Sequence, residues 1–182
     1  TISTANVSGT VQSTGVTIRP QTQAQAVLGV QPLSIQVVKG FDPVLVYGAA
    51  YSTMSIQLIN PESTVLTGIT FTDNMPTDMK LAAPVMFNVG TCGGVLTGTP
   101  GDSSFTFSGG VLPANSSCIL TLRVVMEIEG NLTNRIDAGD VTTFNGVSNP
   151  QPAEASLTNL PGVSVAKSFN PSAVMAGSPS TL

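Results

Sequence analysis

Several side chains in this sequence have chemistry to offer, and each makes a different demand on the fold. Lys39 makes the sharpest. An amine beside an asparagine carboxamide and a buried acid can close an isopeptide bond, and Asn159 and Glu154 are the late-strand partners that a first-strand lysine would meet. The plainer reading of Lys39 is a stem lying on apolar surface with its ammonium in water. Cys92 and Cys118 are the chain's 2 cysteines. In a Ser/Thr-rich domain they predict a disulfide, with two free buried thiols as the alternative. Asp137-Ala138-Gly139-Asp140 presents two carboxylates, but a hard cation takes about six to eight oxygens, so a solvated turn is expected there. Glu127 and Glu129 lie two apart on one strand face and read as solvent-facing charges. Asp73, between a strand and a turn, reads as a cap for local backbone N–H groups.

The composition removes whole classes of function. There are 0 histidines and 0 tryptophans, which excludes Ser-His-Asp and Cys-His catalysis and histidine metal sites. Two distant cysteines are too few for a zinc or iron–sulfur site, and no glycine-rich phosphate loop with a following lysine occurs. The expectation is a protein that is not an enzyme, with no cofactor and no metal. The basic residues Arg19, Lys39, Lys80, Arg123, Arg135 and Lys167 form no run, and the net charge is −4, so nucleic acid is not an expected partner. No stretch of about 18 apolar residues occurs, so no membrane span is expected. The N-terminus lacks the basic-then-apolar plan of a signal peptide, so a secretion signal would lie upstream or have been removed. Asn6-Val7-Ser8, Asn115-Ser116-Ser117 and Asn131-Leu132-Thr133 match the glycosylation acceptor pattern, which Asn/Ser/Thr-rich sequence also produces by chance.

Short strands must position these residues. Only 9% of the chain is charged, against about 25% in ordinary domains, yet 41% is hydrophobic, which is enough for a core. Leu33, Ile35 and Val37 alternate with polar residues, as a half-buried strand does. Phe41-Asp42-Pro43 breaks the pattern, and proline there must kink the strand or switch it to another sheet. Further strands are predicted over 51–60, 65–72, 105–108, 118–128, 131–137, 141–144 and 153–158. The longest puts Cys118, Leu120, Leu122, Val124, Met126 and Ile128 on one face. Gly93-Gly94 and Gly109-Gly110 read as turns or bulges. No capped helical run appears. About seven to nine short strands spaced by turns mean an all-β sandwich or barrel.

A repeat organises the chain. Val37-Val38-Lys39-Gly40-Phe41-Asp42-Pro43 returns 128 residues later as Val165-Ala166-Lys167-Ser168-Phe169-Asn170-Pro171. Over 35–54 against 163–182, seven of twenty positions are identical. Residues 1–32, among them Ile2, Val7, Gly15, Val16, Pro20, Ala24 and Ala26, align loosely with 136–155. The expected organisation is 1–32 as the C-terminal strands of a preceding repeat or an N-terminal extension, 33–160 as one complete β-sandwich repeat, and 161–182 as the first strands of the next. Unpaired strands tend to add to a neighbouring sheet, so the expected partner is another copy, by strand donation through 1–32 and 161–182.

Six landmarks fall in order across 33–160: Val-x-Lys-x-Phe-x-Pro at 37–43; Leu58-Ile59-Asn60-Pro61; 66–76; Cys92-Gly93-Gly94; 112–118; and 141–149. In this order they resemble a repeat domain of unknown function found in tandem arrays in large bacterial surface and secreted proteins. The resemblance implies an immunoglobulin-like sandwich that acts outside the cell as a spacer, a stalk or adhesin repeat, or a filament subunit. It implies no catalytic residues. The alternative is a ligand- or glycan-binding adhesive domain. Its best surface is 80–89 with Met79 and Met86 exposed, and Tyr47 and Tyr51 are its only tyrosines.

Overall fold

The computed structural model describes residues 8–19 and 32–182. They fall into two compact units, 1–32 and 33–182. In the first, β1 (Gly9–Val11) and β2 (Val16–Ile18) form an antiparallel hairpin. The Gly15 N–H closes its turn on the Val11 carbonyl at 2.8 Å. Ile2, Val7, Pro20, Ala24 and Ala26, expected to align with later strands, lie outside the described residues.

The second unit is all-β, an immunoglobulin-like β-sandwich rather than a barrel. Its strands are β3 (Gln36–Asp42), β4 (Leu45–Tyr47), β5 (Tyr51–Asn60), β6 (Leu66–Asn74), β7 (Met79–Leu81), β8 (Gly93–Thr97), β9 (Ser104–Leu112), β10 (Ser116–Met126), β11 (Gly130–Ile136) and β12 (Ala153–Leu160). They form three sheets, ordered β3-β5-β10-β7, β11-β12-β4 and β6-β9-β8.

Period-two alternation accounts for the core. On β5, Met54, Ile56 and Leu58 face inward; on β10, Cys118, Leu120, Leu122, Val124 and Met126 do. The antiparallel register sets Leu58 against Cys118, Ile56 against Leu120 and Met54 against Leu122. Each such side chain contributes roughly 1.5–3 kcal/mol on full burial. Ile128 does not join this face. β10 ends at Met126, and Ile128 is exposed.

Asp42-Pro43 switches sheets, as the sequence requires. β3 pairs antiparallel with β5, whereas β4, just past the proline, pairs in parallel with β12. The Ser52 hydroxyl donates to the Pro43 carbonyl at 2.7 Å and holds the corner. Two bulges bend the β6–β9 pair. One places Gly68 at φ +62°, a conformation that disfavours any side chain. The other falls beside Gly109-Gly110, inside β9, so those glycines make a bulge and not a turn.

Residues 141–144, expected as a strand, form no ladder. Thr142 exchanges backbone hydrogen bonds with Thr70 at 2.9 and 3.0 Å, as an isolated bridge. Buried Asn149 organises the rest of this loop. Its Oδ1 accepts from Gly139 N and Val141 N at 3.1 and 2.9 Å, and its Nδ2 donates to the Asp137 and Gln151 carbonyls at 2.8 Å. The Phe144 N–H also donates to the Thr67 carbonyl at 2.9 Å, but the bulge at Gly68 lies between these two contacts with β6 and interrupts the ladder.

Cys92 and Cys118 are disulfide-bonded and buried. Cys92 closes a 3-10 turn (Gly90–Cys92), so the bond pins a loop to the start of β10. The cysteines are 26 residues apart, and the loop-entropy relation gives about 3–4 kcal/mol for such a closure. Urea unfolding with and without reductant is expected to differ by that amount. Coincident midpoints at equal slope would contradict the assignment.

Candidate functional site

The period of its strand draws Lys39 into the core. Ile35, Val37, Lys39 and Phe41 occupy alternate positions, and Lys39 takes an inward slot between apolar neighbours. Ile56 on β5 stands opposite it in register. The Lys39 side chain is 0% exposed, so its ammonium does not reach water; Nζ donates instead to Asp73 Oδ2.

Asp73 arrives the same way. On β6 the inward positions end Phe71, Asp73, and Asp73 lies opposite Phe105 on β9. Its side chain is also 0% exposed. It does not cap a local turn, because its hydrogen-bond partners are distant side chains. The second is Asn134, inward on β11 between partly buried Leu132 and buried Ile136. Asn134 Nδ2 donates to Asp73 Oδ2 at 3.1 Å and lies 3.8 Å from Met54 Sδ. Three strands, one from each sheet, thus bring an amine, a carboxyl and a carboxamide to a single oxygen.

Electrostatics oppose a permanent ion pair here. Burial pushes the Lys39 amine below its ordinary value, and the Asp73 charge and hydrogen bond offset this only in part. Burial likewise pushes the Asp73 carboxyl up, against the opposing effects of Lys39 and Asn134. Both directions favour the neutral amine and the neutral acid. Asp73 Oδ1 and Asn134 Oδ1 are buried without any hydrogen-bond partner. Such orphans each cost about 1–3 kcal/mol.

The other expected site residues are engaged elsewhere. Glu154 is half-exposed on β12 and paired with Arg135. Asn159 is buried, and its Nδ2 donates to the Ile128 carbonyl at 3.0 Å, while its Oδ1 has no partner. Asp137 is bound by Arg135, and Asp140 Oδ2 accepts from Asp137 N at 3.1 Å. On the segment expected to bind ligand, Met86 is exposed but Met79 is fully buried on β7. The Arg123 guanidinium lies 4.1 Å from the Tyr51 ring centroid and covers that aromatic face. The signal for Asp73 and Asn134 was present in the sequence. Each occupies an inward slot of an alternating strand, as Lys39 does.

Removing one member of this buried pair leaves the other without its hydrogen-bond partner. Asp73→Ala is expected to cost about 3–5 kcal/mol, read by denaturant unfolding at neutral pH. Combining Lys39→Met with Asp73→Leu is expected to recover the part of that loss that comes from the unpaired lysine. Additive losses in the double variant would show that the two side chains do not act as a pair.

Residues 36–159 match the family model described as "Domain of unknown function (DUF7933)", within the 33–160 over which the sequence landmarks fall. No curated protein matches the chain. A type I cohesin from a cohesin–dockerin complex of Clostridium thermocellum superposes with TM-score 0.48 at 8% identity, over 74% of this chain and 100% of that one. A non-cellulosomal cohesin from Archaeoglobus fulgidus gives 0.47 at 7%, over 70% and 91%. A collagen-binding domain from a Staphylococcus aureus adhesin gives 0.46 at 12%, over 71% and 100%. The match covers most of the chain, which therefore belongs to the family of domains of unknown function DUF7933.

Proposed function

We propose that this chain is a piece of an extracellular array of sandwich domains and acts as a non-enzymatic spacer in a surface stalk. The observation that carries this reading is the return of the opening hairpin with its hydrogen bonds. Asp42 pairs with Thr53, and the Ser52 hydroxyl donates to the Pro43 carbonyl at 2.7 Å. At the same spacing further on, Asn170 pairs with Thr181, and the Ser180 hydroxyl donates to the Pro171 carbonyl at 2.7 Å. The second copy keeps its apolar side chains but does not bury them. Phe41 is 7% exposed and its counterpart Phe169 60%; Met54 is 0% exposed and its counterpart Leu182 70%. A strand with an inward face already written into it needs the rest of a sandwich to cover that face.

Further support comes from the joint. The Gly48 N–H donates to the Leu160 carbonyl at 2.9 Å, and Gly48 lies against Gly162, so the chain leaves the sandwich beside β4, just after the entry strand β3. Stacked domains with short joints make a quasi-one-dimensional string. The disulfide fits an oxidising compartment outside the cell. Strand donation between separate chains is the rival route to covering 163–182.

One pair of measurements separates the two. Fusing a second copy of 55–160 behind Leu182 restores the repeat spacing and supplies the missing sandwich. Backbone amides of 165–182 are then expected to gain hydrogen-exchange protection, and small-angle scattering to report two domains in line. Continued rapid exchange in the fused chain would sink the array reading. Protection that appears in the unfused chain only as concentration rises would favour a filament built by strand donation.

A further inference from the structure

We propose that Lys39 and Asn134 become joined by an isopeptide bond inside the folded domain, with Asp73 carrying the protons. The bond would link Lys39 Nζ to Asn134 Cγ. The amine and the carboxamide nitrogen both sit on one carboxylate oxygen, Asp73 Oδ2, so the reacting groups are already neighbours in a dry core. This inference does not rest on the array reading, since a single domain contains all three residues.

The chemistry balances without an outside reagent. Asp73 takes one proton from the Lys39 ammonium, leaving a neutral amine and a carboxylic acid. A lysine desolvated in this way is a nucleophile. Its lone pair attacks Asn134 Cγ while the acid proton moves to Asn134 Oδ1. As the tetrahedral intermediate collapses, protons pass through Asp73 to the departing nitrogen. The Cγ–Nδ2 bond breaks and ammonia leaves. From the ion pair and the carboxamide, the products are one secondary amide, one ammonia and a protonated Asp73. Nothing is oxidised or reduced.

The product also settles polar atoms that the unreacted cluster leaves alone. Asp73 Oδ1 and Asn134 Oδ1 are both buried acceptors without donors. A proton retained on Asp73 gives Oδ1 a hydrogen to donate to the new amide carbonyl, and Oδ2 accepts the new amide N–H. The direction in which burial drives the Asp73 carboxyl supports retention of that proton.

Comparison with the structural asparagines sharpens the assignment. Asn60 donates from Nδ2 to the Thr64, Leu112 and Pro113 carbonyls and accepts at Oδ1 from Glu62 N. Asn149 is satisfied on both atoms as well. Each is anchored on backbone groups. Asn134 makes no such contact. Its Nδ2 rests on a carboxylate and a thioether, and its carbonyl points at no donor. Asn159 is the rival partner, but its nitrogen is held by the Ile128 carbonyl.

Intact mass of the reduced, denatured chain tests the proposal directly. The expected mass is that of the sequence less one ammonia. Cleavage after lysine and arginine, which Pro20 blocks at Arg19, should also fail at Lys39 and release 1–80 as one peptide branched to 124–135. A chain at full sequence mass overturns the bond. So does a chain one ammonia lighter with only linear peptides, which marks an asparagine cyclised on its own backbone. A branch from Lys39 to 136–167 transfers the bond to Asn159 and overturns the assignment to Asn134. Lys39→Arg and Asp73→Asn should each restore the full mass. An Asp73→Asn chain that still carries the branch removes Asp73 from the reaction. If that variant does not fold, the peptide map of the unaltered chain still decides.

Discussion

Everything in the sandwich converges on one carboxylate. Asp73 Oδ2 accepts from Lys39 on β3 and Asn134 on β11, so a single atom bridges all three sheets. Its location explains its cost. Phe105 stands opposite Asp73 and Ile56 opposite Lys39, so no solvent screens the pair. Taking two charges out of water costs several kcal/mol per ion, and apolar residues of similar size often serve stability as well or better. A purely structural account of the cluster is therefore weak. A cluster that becomes neutral and fully hydrogen-bonded by reacting answers that objection.

The strand connections show what such a tie would do under load. β4 follows the first strand, and β12 is the last strand of the sandwich; the two pair in parallel. Tension applied at the two ends then shears this ladder and loads its hydrogen bonds together. The antiparallel β3–β5 pair lacks that protection on the entry side. Lys39 lies on β3, and Asn134 lies on β11, which pairs with β12 along its length. A covalent bond between them would carry force from the entry strand to the exit pair without using the β3–β5 ladder. The disulfide acts elsewhere, pinning a loop to β10, so the two fastenings are complementary.

Much of the fold was legible because one rule generates it. Alternation on β5 and β10, the stop at Pro43 and the sheet switch all follow from pleat geometry and the missing proline N–H. What was not legible has physical causes. Residues 141–144 look like a strand, but they meet β6 across the bulge at Gly68, so only separate hydrogen bonds to Thr70 and Thr67 form. Local alternation cannot reveal a bulge in the strand it would pair with. Met79 read as exposed because its strand, β7, has only 3 residues, too few to show a period. Lys39 is legible as a candidate nucleophile, but alternation along one strand does not place the side chains that other sheets bring to it. Asp73 and Asn134 hide in apolar patterns, where a single polar residue resembles an ordinary turn or a break in the alternation.

Lys167 shows that the residue alone is not the device. It occupies the position of Lys39 in the second copy of the opening segment, with Phe169 and Pro171 in place of Phe41 and Pro43. Yet it is exposed, as are its neighbours Val165 and Phe169. In water an ammonium is well solvated and has no reason to give up its proton. The same side chain at Lys39 has lost that solvation and gained an acid and an amide, because three sheets closed around it. Reactivity therefore belongs to the finished sandwich and not to the sequence motif. In the proposed array this would be a useful property, because the opening strand remains inert until the rest of its own domain has folded over it.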